Sequence, residues 1–130
     1  MTLAAGEASI IAGLRSELGW QHGIVGSLVS YTKLPVIIVD VKDLIDFQSI
    51  ASDDGIYNCT VSMRRRVDDA SELAKHRDVG NPDALAYVLT EHSFDDVTVI
   101  VQDVSTGTIN DTDMGGSQFA FVDVDCELYV

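Results

Sequence analysis

The sequence is short of positive charge. Its 130 residues carry 8 Lys and Arg against 21 Asp and Glu, a formal net charge of −13. Tight nucleic-acid binding draws on counterions released when Lys and Arg meet phosphates, so such a chain is excluded from proteins that grip DNA or RNA. It can still lie close to DNA without holding it. Long apolar runs are missing too: none approaches the ~20 residues that span a bilayer, so no membrane partner is expected. Met1–Gly6 has neither the basic start nor the apolar stretch of a signal peptide, which predicts an intracellular origin. Without that signal, the glycosylation-like tripeptide Asn58-Cys59-Thr60 carries no weight. Cysteine is limited to Cys59 and Cys126. Two isolated cysteines are too few for a metal site, and both fall at core-facing positions of predicted strands. They read as buried thiols, with a disulfide left open if their strands are neighbours.

Catalytic signatures are also absent. His22, His76 and His92 lie in separate segments, and none has a second histidine at helix or turn spacing, which argues against zinc. No serine sits in a G-x-S-x-G elbow, and neither common phosphate-binding glycine loop occurs. The stretch Asn110-Asp111-Thr112-Asp113-Met114-Gly115-Gly116 resembles a calcium loop only superficially. It lacks the alternating ligands and the terminal bidentate Glu. No catalytic, cofactor-binding or metal-ligating residue is assigned, and the chain does not read as an enzyme. An unrecognised enzyme site would need His76 or His92 to meet an acid in a pocket.

What is present is a well-patterned globular chain. Apolar residues make up 46% of it, enough to exclude a wholly disordered polypeptide, and 130 residues suit one domain spanning 1–130. Ile10, Ile11, Leu14 and Leu18 recur at helical spacing, with Gly19 as a stop. A loop with Gly23 and Gly26 follows. Pro35 then leads the β-branched run Val36-Ile37-Ile38-Val39, read as a strand buried on both faces. Phe47–Ile50 extends that strand or begins another, and Asp53-Asp54-Gly55 signals a hairpin turn. Ile56–Arg66 alternates as a third strand. Asp68-Asp69 opens a helix that Gly80 breaks, and Asn81-Pro82 restarts it as N-cap and first-turn proline. Val97–Val104 is the next strand, followed by a polar loop, Ser105–Ser117, longer than a hairpin needs. The expected fold is α+β: a mostly antiparallel sheet packed against an N-terminal helix and an interrupted central helix.

The final thirteen residues carry the sharpest signal. Ala120, Val122, Val124, Cys126, Leu128 and Val130 share one parity; Asp123, Asp125, Glu127 and Tyr129 share the other. Period two makes this a strand with one buried face and one wetted face, the latter a row of carboxylates. Such a row costs stability unless water, salt or a basic partner screens it. Against it stands one basic cluster, Arg64-Arg65-Arg66, with Arg64 and Arg66 on one strand face and Arg65 on the other. The trio reads either as solubilising charge paired to Asp68 or Asp69, or as a docking point for the acidic strand of a neighbouring copy.

In layout the chain resembles the small tail-terminator and neck proteins of long-tailed bacteriophages. The features that carry the resemblance are the helix Ile10–Leu18, the Pro-led strand Leu34-Pro35-Val36-Ile37-Ile38-Val39, and the long strand Tyr57–Arg66. The helix opened by Asp68-Asp69 and the closing strand Phe119–Val130 complete it. The interruption at Gly80-Asn81-Pro82 departs from the continuous helix expected there. The resemblance implies a structural virion protein of the tail or neck, assembled in the host cytoplasm. It would form a ring, commonly of six copies, stacked between the tail tube protein and a head-side connector or adaptor, with DNA passing through and not tightly bound. On that reading Arg64, Arg65 and Arg66 sit at the subunit interface, Asp123, Asp125 and Glu127 line the channel, and Asn110, Asp111 and Asp113 belong to an inter-ring contact loop. The alternative reading is an acidic intracellular module that mimics DNA and captures a basic partner protein through Asp123, Asp125 and Glu127.

Overall fold

A computed structural model describes residues 3–18, 23–26, 36–47, 55–66, 70–111 and 117–130. The fold is α+β. Helix α1 (Leu3–Leu18) is followed by strands β1 (Gly23–Gly26), β2 (Val36–Phe47) and β3 (Gly55–Arg66). A short helix α2 (Ala70–Ala74) then runs into a 3-10 turn (Lys75–Arg77). Helix α3 (Leu85–Glu91) and strands β4 (Thr98–Asp111) and β5 (Ser117–Tyr129) complete it. The five strands form one sheet in the order β1-β2-β3-β5-β4. β1 is parallel to β2; every other pairing is antiparallel.

Period-two burial explains the two layers. Tyr57, Cys59, Val61 and Met63 of β3 and Ala120, Val122, Val124, Cys126 and Leu128 of β5 all point to one face. They form one core with Ile10 and Leu14 of α1, Leu73 of α2, and Leu85, Val88 and Leu89 of α3. Ile11 and Leu18 flank that core, so the apolar stripe expected of the first helix is the stripe it buries. The alternation of the terminal strand is likewise the observed burial pattern. On β2, Val36, Ile37 and Val39 are buried while Ile38 is half-buried, so its two faces are not equally covered.

Several local expectations are corrected. Ile24 and Val25, flanked by glycines in a stretch read as loop, make the short parallel strand β1 against Ile37 and Ile38. β2 runs on to Phe47 through two register irregularities after Val41, at Lys42-Asp43 and at Ile45; Gln48, Ser49 and Ile50 lie outside the described residues. Gly55 is already strand, exchanging both backbone hydrogen bonds with Val130 (3.0 and 3.3 Å); Asp53 and Asp54 lie outside the described residues, as do Asp68 and Asp69.

Asn81 does not cap the second helix. Its Oδ1 accepts the Asp83 N–H (3.1 Å), closing an Asx turn, and α3 starts only at Leu85. The cap position, Ala84, offers no side-chain acceptor. His76 supplies one: its Nδ1 accepts the Leu85 N–H at 3.1 Å, and its ring is 3% exposed. The 3-10 turn thus satisfies one of the donors that a helix start leaves unpaired.

Candidate functional site

The face of the sheet opposite the core is where charge collects. Its registers can be read across four strands. Asp123 stands between Ser62 and Ser105, Asp125 between Thr60 and Asp103, and Glu127 between Asn58 and Ile100. Asp40 of β2 continues the Asp125 row beyond Thr60, so three carboxylates and one hydroxyl lie in line. The carboxylate row of the terminal strand is therefore one column of a wider acidic field. Asp103 sits just past a bulge at Gln102, where β4 shifts register against β5. The bulge turns the parity of β4, which is why Asp103 joins the acidic face and Val104 turns to the core.

Local geometry makes the row tolerable. Gly55 and Val130 exchange both backbone hydrogen bonds, so counting along the unbroken β3–β5 register makes Cys59–Cys126 a hydrogen-bonded pair. Thr60–Asp125, Ser62–Asp123 and Asn58–Glu127 are then the pairs whose side chains stand closer. Thr60 uses this to donate its hydroxyl to Asp125 Oδ1 at 2.8 Å. Asp103 Oδ1 accepts the Val104 N–H at 2.9 Å, and the Tyr129 hydroxyl donates to Glu127 Oε2 at 2.9 Å. That last bond, with the negative charge of Glu127, holds the Tyr129 hydroxyl above its usual pKa. Asp125 and Asp103 are exposed, whereas Asp123 and Glu127 are half-buried. Ile100 and Tyr129, 43% and 42% exposed, give the far end of this face an apolar margin.

The arginine end of the same face differs in character. Arg64 and Arg66 stand in register with Phe121 and Phe119 and share the carboxylates' face; Arg65, opposite Ala120, points to the helix side. Arg64 Nε donates to Ser62 Oγ at 3.5 Å. Phe121 lies over Gly107: a Cβ there would come within 2.8 Å of the Phe121 ring, so glycine is what lets the ring lie flat on the edge strand. The open face thus passes from arginine and aromatic residues at one end to carboxylates at the other.

The expected contact loop is much shorter than Ser105–Ser117. β4 continues to Asp111, with Asn110 and Asp111 in register with Gln118 and Ser117 at the end of a long hairpin. The β-branched Thr106, Thr108 and Ile109 favour strand, and β5 offers them a continuous partner, which outweighs the Ser, Gly, Asn and Asp residues around them. Asp113 lies outside the described residues.

Among the described residues, His92 and the two cysteines make local contacts. His92 Nδ1 is 3.2 Å from Glu17 Oε1, and its ring meets Phe94 edge-on with centroids 4.7 Å apart. Together these residues tie α1 to the segment after α3. Cys59 and Cys126 are free, buried and directly opposite on adjacent strands. Burial, then the partner thiol, pushes Cys59 up; burial, then Asp125, pushes Cys126 up to about 12. A hydrogen-bonded pair holds Cβ atoms farther apart than a relaxed disulfide accepts, in keeping with free thiols.

No protein-family model and no curated protein sequence match the chain. A solved structure does. It is a chain from the virion of a native gene transfer agent particle, matched at TM-score 0.50 over 95% of this chain and 92% of that one, with 11% identical residues. What the two share is a fold. The match extends across both layers of the fold. No helix among the described residues is long and apolar enough to cross a membrane.

Proposed function

We propose that this chain is a structural virion component that assembles as a ring in a phage-like tail or neck. Six copies would surround a DNA passage between the tail tube and a head-side connector. The observation that carries this reading is the open sheet face, on which carboxylates from three strands line up in a fold matched end to end by a virion chain. A wall of that charge repels phosphates over about one Debye length, roughly 8–10 Å, so DNA can move past without being held.

Copies of so acidic a chain can still associate where local basic groups meet acidic ones, and Arg64, Arg65 and Arg66 are candidates for such contacts. Their reversal to Glu should abolish particle assembly. Normal particles from that variant, together with a monomeric wild-type protein at high concentration, would refute the ring. The competing reading, an acidic module occupying a basic partner protein, relies on the same carboxylates but requires no basic patch. Arginine reversal would leave its binding intact, which separates the two.

A further inference from the structure

The strand order leaves β4 at one edge of the sheet; among the described residues no strand lies beyond it. The hydrogen-bonding phase set by Gly55 and Val130 carries through β3 and β5 to β4. Ser105, Gly107 and Ile109 therefore turn their backbone groups to β5, while Val104, Thr106, Thr108 and Asn110 turn theirs outward. The Val104 N–H already has an acceptor in Asp103 Oδ1, at 2.9 Å. Natural sheets blunt an edge with proline, lysine, a bulge or inward charge. The first half of β4 does so, through the bulge at Gln102 and the bond from Asp103. The second half does not. Val104-Ser105-Thr106-Gly107-Thr108-Ile109-Asn110 carries no charge and no proline, and its register with β5 is unbroken. Thr106 and Thr108 are exposed.

Gly107 is the centre of that run, and the half-buried Phe121 ring reaches over it from β5. Phe121 Cζ and Cε1 would lie 2.8 and 2.9 Å from a Cβ at that position. We propose that residues 104–110 pair antiparallel with the same run of a second copy, about a twofold axis through Gly107. Symmetry selects the occupant. On each side of the axis Thr106 of one copy meets Thr108 of the other, and the two exchange both backbone hydrogen bonds. The Asn110 N–H then reaches the Val104 carbonyl of the second copy, which leaves the Asp103–Val104 bond undisturbed. The two glycines form the close, non-hydrogen-bonded pair, with Cα atoms about 4.5 Å apart. That brings the two Phe121 rings toward each other over bare backbone, an aromatic cover for an edge glycine. This inference goes beyond the ring reading and does not rest on it. A twofold contact reverses one copy, so it is distinct from the like contacts repeated around a ring.

Oxidative cross-linking tests the pair. In this register Ser105 comes opposite Ile109 of the second copy as a non-hydrogen-bonded pair, the closer spacing that suits a cross-strand disulfide. Within one chain the two positions are roughly 13 Å apart along the strand, too far to bridge. The native Cys59 and Cys126 are buried. A variant carrying Ser105→Cys and Ile109→Cys, treated with oxidised glutathione, should run without reducing agent as a covalent dimer and no longer ladder, because its two bonds close on each other. Ser105→Cys alone should stay single. Adding Thr108→Pro to the double variant should abolish the dimer: that N–H faces away from β5, so proline spares the β4–β5 ladder and removes a bond to the second copy. Thermal unfolding checks that this variant is folded, and Thr108→Lys takes its place if it is not. A double variant that stays single, a ladder of longer species, or a dimer unaffected by a folded Thr108 variant overturns the twofold pair. None of these outcomes bears on the ring, which reversal of Arg64–Arg66 reads separately.

Discussion

Replacing His76 with phenylalanine removes the acceptor that caps α3. The imidazole is almost fully enclosed, and its Nδ1 is the acceptor that meets the Leu85 N–H at 3.1 Å. A nitrogen that accepts carries no proton, so the ring is held with its hydrogen on Nε2. Phenylalanine keeps an aromatic ring but leaves a buried N–H with no acceptor, because the methyl group of Ala84 cannot accept a hydrogen bond. An orphaned buried donor costs about 1–3 kcal/mol, and losing a helix N-cap typically costs about 1. These describe the same bond and are not summed; a loss of about 2 kcal/mol is expected. Alanine at the same site adds a cavity and should cost about 1–2 kcal/mol more. Urea unfolding reads this as a lower midpoint at unchanged slope, and each kcal/mol should lower the melting temperature by roughly 3–5 °C for a chain of this size. A His76→Phe protein as stable as wild type would refute the cap; so would Ala and Phe variants that are equally destabilised.

Gly13 offers a test in which two effects oppose. Alanine would gain about 1 kcal/mol of helix propensity, but its Cβ would sit 2.6 Å from Phe94 Cε1 and 3.0 Å from His92 Nε2. Overpacking costs about 1–3 kcal/mol, so Gly13→Ala should destabilise wild type yet stabilise a Phe94→Ala background, a sign change that a double-mutant cycle measures. The thiols set an alkaline limit. Cys126, raised from 9.0 to about 12, ionises more readily in the unfolded chain, so its contribution is complete below pH 9 and lost as pH climbs from 9 to 12. Stability in that window should fall less steeply in Cys126→Ala, and thiol reagents at pH 8 should modify neither cysteine until the chain unfolds. Gly107→Ala should displace Phe121 from the edge strand, costing about 1–2 kcal/mol by denaturation, whereas Gly107→Ala with Phe121→Leu should recover most of it.

Much of the architecture was legible because burial on a sheet imposes period two. The alternation at Ala120–Val130 located a strand, its core face and its carboxylate row, and Tyr57–Met63 did the same for its partner. The layering of helix and sheet followed from the stripe at Ile10 and Leu14. What was not legible depended on partners distant in sequence. Ile24 and Val25 form a strand only because β2 offers an edge, and Thr106–Asp111 extend β4 only because β5 runs alongside. The cap of α3 was hidden for the same reason: the donor's partner is a histidine nine residues earlier, where a local motif at Asn81 competed for attention. The gathering of Asp40, Asp103 and Asp125 into one row required the sheet order and the bulge at Gln102, neither of which a linear pattern encodes.

Averaged electron-microscope images of the purified, assembled protein test the central claim most directly. The account predicts a closed ring of like subunits with Asp123, Asp125 and Glu127 turned toward the opening or onto the adjoining copy. Single subunits at high concentration, or a ring whose carboxylate row faces outward to bulk solvent and touches no neighbour, would contradict it.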